Sequence, residues 1–587
     1  MLNASTRDQY HTLLDAITLT EADDQPAIIF VATDAEPITI TRRAFKAQIT
    51  NCAMALRGIG IAPRDLVIIA HTQNLESIYA FWGALWLGAI PSMFPTLTEK
   101  LDPDFYINNL AELTRFSNVR VVLTTDDFAP TLSARLPCTV YGTSAWLNMS
   151  VEESLPICDN KAKETSGLQA DDLPSPRLRG RGVGGEDITA FLQHSSGTTG
   201  LQKGVALSHR AVLNQLAHYA DAIMLNDQDV IVSWLPLYHD MGLIAGFILP
   251  LVTGLPLVLM SPFDWVQHPA LLLKAIHDYR GTLCWLPNFA YNHLARRVRV
   301  RDSDRLDLSS IRAFINCSEP ARHASHTLFA ERFAANGVSM KQLAVSYAMA
   351  ENTFAVSQTA VGEAAKLDTI DREALQRDLI AAPAAPDSDD ALTQVSCGKP
   401  ITGTAVKVVN EAGDSVGERQ IGELLVKSDC MLTEYFMRHD LQPFDSDGWY
   451  KTGDRGYIAV GEIFVVGRSK DLIISAGKNI YPQDVEAILY EIDGIHAGRA
   501  VVFGVPDERE GTELVAVVAE VDTYDQEALR QIQLAIRQQI ARATEVSVSY
   551  VSLVERGWLI KTSSGKTARA ANRAKWLAER ENQGNLV

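Results

Sequence analysis

Apolar positions along the first 160 residues alternate between two periods. Short apolar runs at Pro26 to Val31, Asp65 to Ala70 and Val119 to Thr124 have strand length, whereas Thr41 to Gly58, Leu75 to Gly88 and Leu101 to Arg115 carry apolar residues at helical spacing. Such alternation predicts parallel sheet with helices on its faces. The pattern stops between Cys158 and Glu186, where Pro174 to Gly185 is a Pro/Arg/Gly stretch that no packed element would choose. That stretch reads as a linker, and Arg177, Arg179 and Arg181 read as part of it. The pattern resumes with a strand at Ile188 to Leu192, and Ser208 is placed to cap a helix carrying Val212, Leu213, Leu216, Ala220 and Ile223 on one face. Strand-to-loop junctions follow at Val230 to Leu243, Leu283 to Tyr291, Phe314 to Pro320 and Leu343 to Asn352. Residues 360–394 are poorer in large apolar groups; a helix is predicted over Lys366 to Leu379, followed by an Ala/Pro/Asp-rich stretch, and the whole reads as an inserted surface element. Strands at Ala405 to Val409 and Gly422 to Val426 lead to a glycine-flanked turn, Trp449 to Gly456. Beyond a boundary at Ser469 to Lys470, strands at Ala500 to Val505 and Leu514 to Val521 and helices near Pro482 to Ile492 and Gln526 to Ala543 predict a small α+β domain.

Length and composition narrow this picture. A chain of 587 residues exceeds what one hydrophobic core serves. The expectation is an α/β protein with a large N-terminal domain, 1–468, and a small C-terminal domain, 469–587. A net charge of −18 speaks against nucleic acid or an anionic membrane as the main partner. The seven cysteines never form a C-x-x-C pair, so their spacing points to a reducing, cytoplasmic setting and to no structural zinc site. Two long uncharged runs, Ser77 to Thr98 and Met241 to Phe263, are interrupted by glycines and prolines, which suits elements buried in a protein core better than membrane spans. Met1 to Tyr10 has no basic and apolar signal pattern.

The candidate chemistry centres on Gln193 to His209. Ser195, Ser196, Gly197, Thr198 and Thr199, with Gly200 and Lys203, offer many N–H and O–H donors and little bulk, as a phosphate chain requires. Gln202 and Gly204 around Lys203 exclude the Walker pattern. Tyr238, His239 and Asp240 fall just beyond a strand end, where ligands bind in open α/β sheets. Leu283 to Tyr291 either walls an apolar pocket or packs the core. Tyr347 offers a flat face for a purine, Glu351 a hard oxygen for magnesium, and Asp454 a carboxylate for ribose hydroxyls. Lys566 sits on a small-residue loop, Thr562 to Lys566.

In order and approximate spacing, Gln193 to His209, Leu235 to Leu243, Tyr347 to Glu351, Tyr450 to Asp454, Gly467 to Pro482 and Thr562 to Lys566 resemble the adenylate-forming superfamily of acyl-CoA synthetases, luciferases and peptide-synthetase adenylation domains. Leu-Pro-Leu-Tyr-His-Asp-Met-Gly-Leu at 235–243, Pro-Asn-Phe-Ala-Tyr at 287–291 and Ala-Glu-Asn-Thr at 350–353 are most similar to fatty acyl-AMP ligases. The resemblance implies stacked sheets in the large domain, a small domain mobile about Lys470, and conversion of a medium- or long-chain fatty acid with ATP and Mg2+ into an acyl-adenylate. By the same resemblance, Ser195 to Thr199 and Lys203 hold the β- and γ-phosphates, with Thr198 and Glu351 at the metal. Ser318, Glu319, Pro320, Tyr347, Asp454 and Arg468 surround the nucleotide, His239 lies near the acyl carboxylate, and Lys566 stabilises charge on the α-phosphate. The 360–394 segment falls where these ligases carry an insertion that hinders transfer to CoA, so the implied acceptor is the phosphopantetheine thiol of an acyl carrier protein. Two rivals are a fatty acyl-CoA synthetase and an inactive relative that keeps the fold. Departures from the family pattern are Gln202 in the phosphate loop, Ala348 and Ala350 beside Tyr347, and Trp285 and Leu286 before the Pro-Asn-Phe motif.

Overall fold

A computed structural model describes residues 10–18, 24–97, 103–147, 188–194, 203–475, 478–495, 498–507, 512–544, 546–562 and 566–582. The linker at 159–185 and the phosphate-loop residues Ser195 to Thr199 and Gln202 lie outside the described residues. The largest sheet has nine strands in the order Lys399–Pro400, Ala355–Gln358, Leu343–Ala348, Ala313–Asn316, Leu283–Leu286, Ile231–Ser233, Leu257–Met260, Pro26–Val31 and Ile38–Thr41. Its inner strands, from Leu343–Ala348 to Pro26–Val31, run parallel. These strands are apolar on both faces, as parallel sheet between helices demands.

A second parallel sheet, Ile90–Phe94, Leu66–Ala70, Val121–Thr124 and Thr139–Gly142, is built by the N-terminal alternation read in the sequence. Its helices start where side chains satisfy free N–H groups. Asn74 and Ser77 cap Leu75–Trp86 reciprocally, and Thr41 accepts from Ala44 N at 3.2 Å at the head of Arg42–Gly58. Ser208 does the same for His209–Ala222, accepting from Ala211 N at 3.1 Å. Both uncharged runs resolve into a buried helix followed by a buried strand, and among the described residues no helix is long and apolar enough to cross a membrane.

Besides a two-stranded hairpin, two larger antiparallel sheets belong to the N-terminal part. One pairs Thr189–His194, Gly204–Ser208 and Glu434–Tyr435; the other is a meander of Thr404–Val409, Gly422–Ser428, Tyr450–Ala459 and Glu462–Arg468. After a short turn at Ser469–Asp471, the chain forms a three-stranded sheet, Ala500–Asp507, Thr512–Glu520 and Val548–Val554, with helices Pro482–Leu489, Gln526–Thr544 and Arg569–Asn582. One apolar cluster is drawn wholly from this stretch, from Ile473 to Val548.

Four expectations change. Lys366 to Leu379 is not an α-helix: Leu367–Asp371 pairs as a hairpin with Ala391–Val395, and only Ala374–Asp378 coils, as a π-turn. The β-branched Thr369 and Ile370 gain cross-strand partners there, which outweighs a weak helical pattern. Trp449 to Gly456 is not an isolated turn, because Tyr450–Ala459 is one bulged strand that takes Gly453 through φ 73°. Past Pro287 the chain enters a helix, Asn288–Arg297. Val548–Val554 and Arg569–Asn582 add a strand and a helix that the sequence pattern does not flag.

Candidate active site

The carboxyl ends of the parallel strands open on one edge of the central sheet and deliver Leu235 to Asp240, Cys317 to Pro320 and Met349 to Thr353 there. Three local groupings form on and beside this edge. In the first, the Tyr347 hydroxyl donates to Asp454 Oδ2 at 2.6 Å, and Arg468 Nε donates to Asp454 Oδ1 at 3.2 Å. Asp454 and Arg468 face each other in register on adjacent strands, and Thr452 Oγ1 accepts from the Asp454 amide at 3.0 Å. Burial, with the facing carboxylate, pushes the Tyr347 phenol well above its ordinary range, so the hydroxyl stays a donor.

In the second grouping, Glu351 Oε1 accepts from the Tyr435 hydroxyl at 3.0 Å, and Tyr435 lies 3.0 Å from the Tyr450 hydroxyl. The Lys203 ammonium sits 4.6 Å over the face of the same Tyr435 ring. One tyrosine therefore holds a cation on its face and a carboxylate at its hydroxyl. Glu351 is positioned by a 3-10 turn, Ala350–Asn352; its carbonyl accepts from Leu432 N at 2.8 Å. Thr353, at φ 61°, donates its hydroxyl to the Cys430 carbonyl at 2.7 Å.

The third grouping crosses the chain. Lys566 bears electrostatically on His239, Asp240 and Glu319 although it lies more than 200 residues further along. The Lys566 carbonyl accepts from Thr562 N at 2.7 Å, and Lys561 and Thr567 form a bridge. Burial first, and Lys566 second, push the His239 imidazole down to about 3, so it is neutral near pH 7. Its Nε2 is shielded and has no hydrogen-bond partner among the described residues. Asp240 accepts from its neighbour Met241 N at 2.8 Å; burial pushes its carboxyl up while Lys566 opposes the rise. Glu319 Oε2 accepts from Phe289 N at 2.9 Å at the head of helix Asn288–Arg297, the position a helix dipole favours for an anion. Ser318 adopts φ 71°, and Pro320 is exposed.

Charge pairs bring this stretch home. Arg322 bonds Asp484 at 3.1 Å and the Gln483 carbonyl at 3.0 Å, and Arg569 joins Asp471 and Glu486 at 2.8 Å each. The inserted hairpin takes part: Asn479 Nδ2 donates to the Gln376 carbonyl at 2.8 Å. Beside Leu237 and Tyr238 lies a cavity lined by Ile69, Met93, Phe94 and Phe263. Trp285 and Leu286 do not reach it; they are buried in the core, where the Trp285 indole donates to the Tyr219 hydroxyl at 2.8 Å.

A hydroxyl-bound carboxylate, a cation on the same aromatic ring and a lysine whose charge is felt at a neutral histidine are parts suited to handling a phosphate-bearing ligand. The family model for AMP-binding enzymes matches residues 18–436. The chain belongs to the AMP-binding enzyme family. This AMP-binding enzyme is 30% identical over 583 residues to 4-hydroxyphenylalkanoate adenylyltransferase of Mycobacterium tuberculosis, covering 94% of this chain and 89% of that one. It is 30% identical over 535 residues to the medium-chain-fatty-acid acyl-carrier-protein ligase JamA of Moorena producens, covering 87% and 86%. Among solved structures, a fatty acyl-adenylate ligase from work on the E. coli and L. pneumophila enzymes matches with a TM-score of 0.86 at 28% identity, over 98% of this chain and 99% of that one. Tyr435 is the member of the site that sequence reasoning misses in this AMP-binding enzyme. A single tyrosine in the mixed run Thr433 to His439 carries no periodic signal, and its value comes from pairing with Val205, two residues beyond Lys203.

Proposed function

We propose that this AMP-binding enzyme activates a medium- or long-chain fatty acid as its acyl-adenylate and passes the acyl group to the phosphopantetheine thiol of an acyl carrier protein. In the first step a carboxylate oxygen of the acid bonds to the α-phosphorus of ATP, and the bond to the bridging oxygen breaks with loss of pyrophosphate. Negative charge builds on the phosphate oxygens, which is where a lysine ammonium lowers the barrier. Lys566, on the His239 side of the site, is the candidate for that role. A neutral His239 would meet the acid carboxylate as an uncharged imidazole with one ring N–H. Tyr347 faces the adenine, and Asp454 with Arg468 takes the ribose. Glu351 is a hard oxygen donor of the kind Mg2+ binds, and its carboxylate, held by the Tyr435 hydroxyl, fits the ion; Thr198 lies outside the described residues. Bound Mg2+ would neutralise charge on the phosphate oxygens. In the second step the carrier thiol sulfur bonds to the acyl carbon, AMP leaves, and the thiol proton goes to solvent.

The observation that carries the choice of acceptor is the anchoring of the inserted hairpin. Arg419 grips Asp368 through two bonds of 3.1 Å, Tyr457 donates to the same carboxylate at 2.8 Å, and Lys366 pairs with Glu462 at 2.7 Å. Ile370 and Leu375 then share one apolar cluster with Tyr457, Phe464 and Tyr481, so the hairpin spans the turn at Lys470. A hairpin packed on both sides of that turn supports the reading that rotation towards CoA transfer is impeded. The deciding experiment incubates the enzyme with ATP, one acid and either CoA or a phosphopantetheinylated carrier, with fatty acids and a 4-hydroxyphenylalkanoate as competing acids. Acyl-carrier formation with little acyl-CoA is expected; rapid acyl-CoA formation would make it a synthetase, and preference for the aryl acid would overturn the fatty acid assignment.

A further inference from the structure

Behind the turn that carries Glu351, the fold brings His218 to the adjacent pair Asp429 and Cys430. His218 lies on helix His209–Ala222, and Asp429 and Cys430 follow the strand Gly422–Ser428. His218 Nε2 lies 3.2 Å from Asp429 Oδ2, and Cys430 Sγ lies 3.3 Å from Asp429 Oδ1. All the donor atoms fall within 4.8 Å of one another. A tetrahedral zinc ion with bonds of about 2.0 to 2.3 Å holds its ligand atoms about 3.4 to 3.6 Å apart. The His218–Asp429 and Cys430–Asp429 spacings of 3.2 and 3.3 Å are near that separation, and drawing the whole set in from within 4.8 Å needs about 1 Å of side-chain movement.

The surroundings keep this cluster both rigid and reachable. Asn214 Nδ2 donates to the Asp429 carbonyl at 2.9 Å, the Cys430 amide donates to Ser428 Oγ at 3.0 Å, and Thr353 Oγ1 donates to the Cys430 carbonyl at 2.7 Å. The Asp429 side chain is 45% exposed whereas that of His218 is 11% exposed, so an ion approaches from the carboxylate side and a water completes its shell. Gly403, at φ 76°, borders the donors: a Cβ there would come 2.6 Å from His218 Nε2 and 2.7 Å from Asp429 Oδ1. Glycine is the residue that leaves this space clear. A thiol with an imidazole selects a borderline ion over magnesium or calcium.

We propose that His218, Asp429 and Cys430 form a three-ligand site for Zn2+, on the far side of the turn that carries Glu351. Zinc displaces the thiol proton to solvent and binds the thiolate. The site is independent of the adenylation reading and is tested without turnover. The full chain is stripped with EDTA and titrated with Co2+ as a spectroscopic stand-in, then with Zn2+ in competition. One equivalent of Co2+ is expected to produce a near-ultraviolet thiolate-to-metal band that Zn2+ abolishes. Cys430→Ser loses the band, His218→Gln weakens Zn2+ binding by about tenfold or more, and Cys138→Ser changes neither. Circular dichroism in EDTA establishes that each variant is folded, and His218→Gln carries the test if Cys430→Ser is not. No band in the wild type, a band that survives Cys430→Ser, or unchanged Zn2+ affinity in folded His218→Gln overturns the proposal.

Discussion

Replacing Lys566 with alanine separates the two half-reactions. Its backbone is held by Thr562 N to Lys566 O and by the Lys561–Thr567 bridge, so alanine keeps these contacts and removes only the charged arm. Loss of one preorganised donor at developing negative charge costs about 2.7 to 4 kcal/mol, or roughly 10² to 10³ in kcat. Acid-dependent pyrophosphate release should fall by that factor, while transfer from a preformed acyl-adenylate to the carrier stays near the wild-type rate. The neighbours supply a second readout. Lys566 holds the His239 imidazole and the Asp240 and Glu319 carboxyls down, so all three rise in the variant. Burial, the larger cause at His239, remains, and the imidazole therefore rises only part of the way from about 3. Stopped-flow or radiolabel exchange follows the first half-reaction, and carrier acylation read by mass spectrometry follows the second. Equal loss in both halves, or a loss of pyrophosphate release smaller than about tenfold, would refute the assigned role.

Arg419→Ala should loosen the inserted hairpin and raise acyl-CoA formation by about tenfold or more; a hairpin that becomes protease-sensitive with no gain in acyl-CoA would mean it does not select the acceptor. Arg312→Ala leaves Asp229, whose side chain is 1% exposed and which Arg312 bonds at 2.6 and 2.7 Å, without its cation, and should cost about 3 to 5 kcal/mol in denaturant unfolding. His194, His209 and His326 are buried and pushed down to about 4, and His239 to about 3. An unfolded histidine takes a proton near pH 6.5, so the unfolded chain binds more protons below that pH. The stability these groups contribute is complete above pH 6.5 and lost as pH falls towards 4 and 3; thermal midpoints measured from pH 7.5 to 4.5 should decline below 6.5, and a flat profile would contradict buried neutral histidines.

The elements best read from sequence were those whose local pattern and tertiary fate agree. Runs such as Leu66–Ala70 and Leu283–Leu286 are apolar at every position because both faces are covered, and Ser208 caps its helix through a contact three residues away. Lys366 to Leu379 misled because the partners that make Leu367–Asp371 a strand lie at Ala391–Val395, beyond any local window. Asp454 was recognisable by its motif, but its setting in a strand depends on registry with Arg468. Tyr435 and the pairing of His218 with Asp429 were invisible for the same reason, since both arise only where distant strands and helices meet. The electrostatic influence of Lys566 on the His239 loop follows from how the last part of the chain docks, through Arg322 and Arg569, and no periodicity encodes that.

The apolar cluster that joins Ile370, Leu375, Tyr457, Phe464 and Tyr481 has a thermal consequence. Swinging the chain beyond Lys470 away from the hairpin would bring part of that cluster into water, and newly wetted apolar surface raises the heat capacity. The equilibrium between the docked and swung arrangements should therefore bend with temperature instead of following a straight van't Hoff line. Because apolar association weakens on cooling, the clasp loosens in the cold, and whatever selectivity it gives against CoA should be lowest near the freezing point.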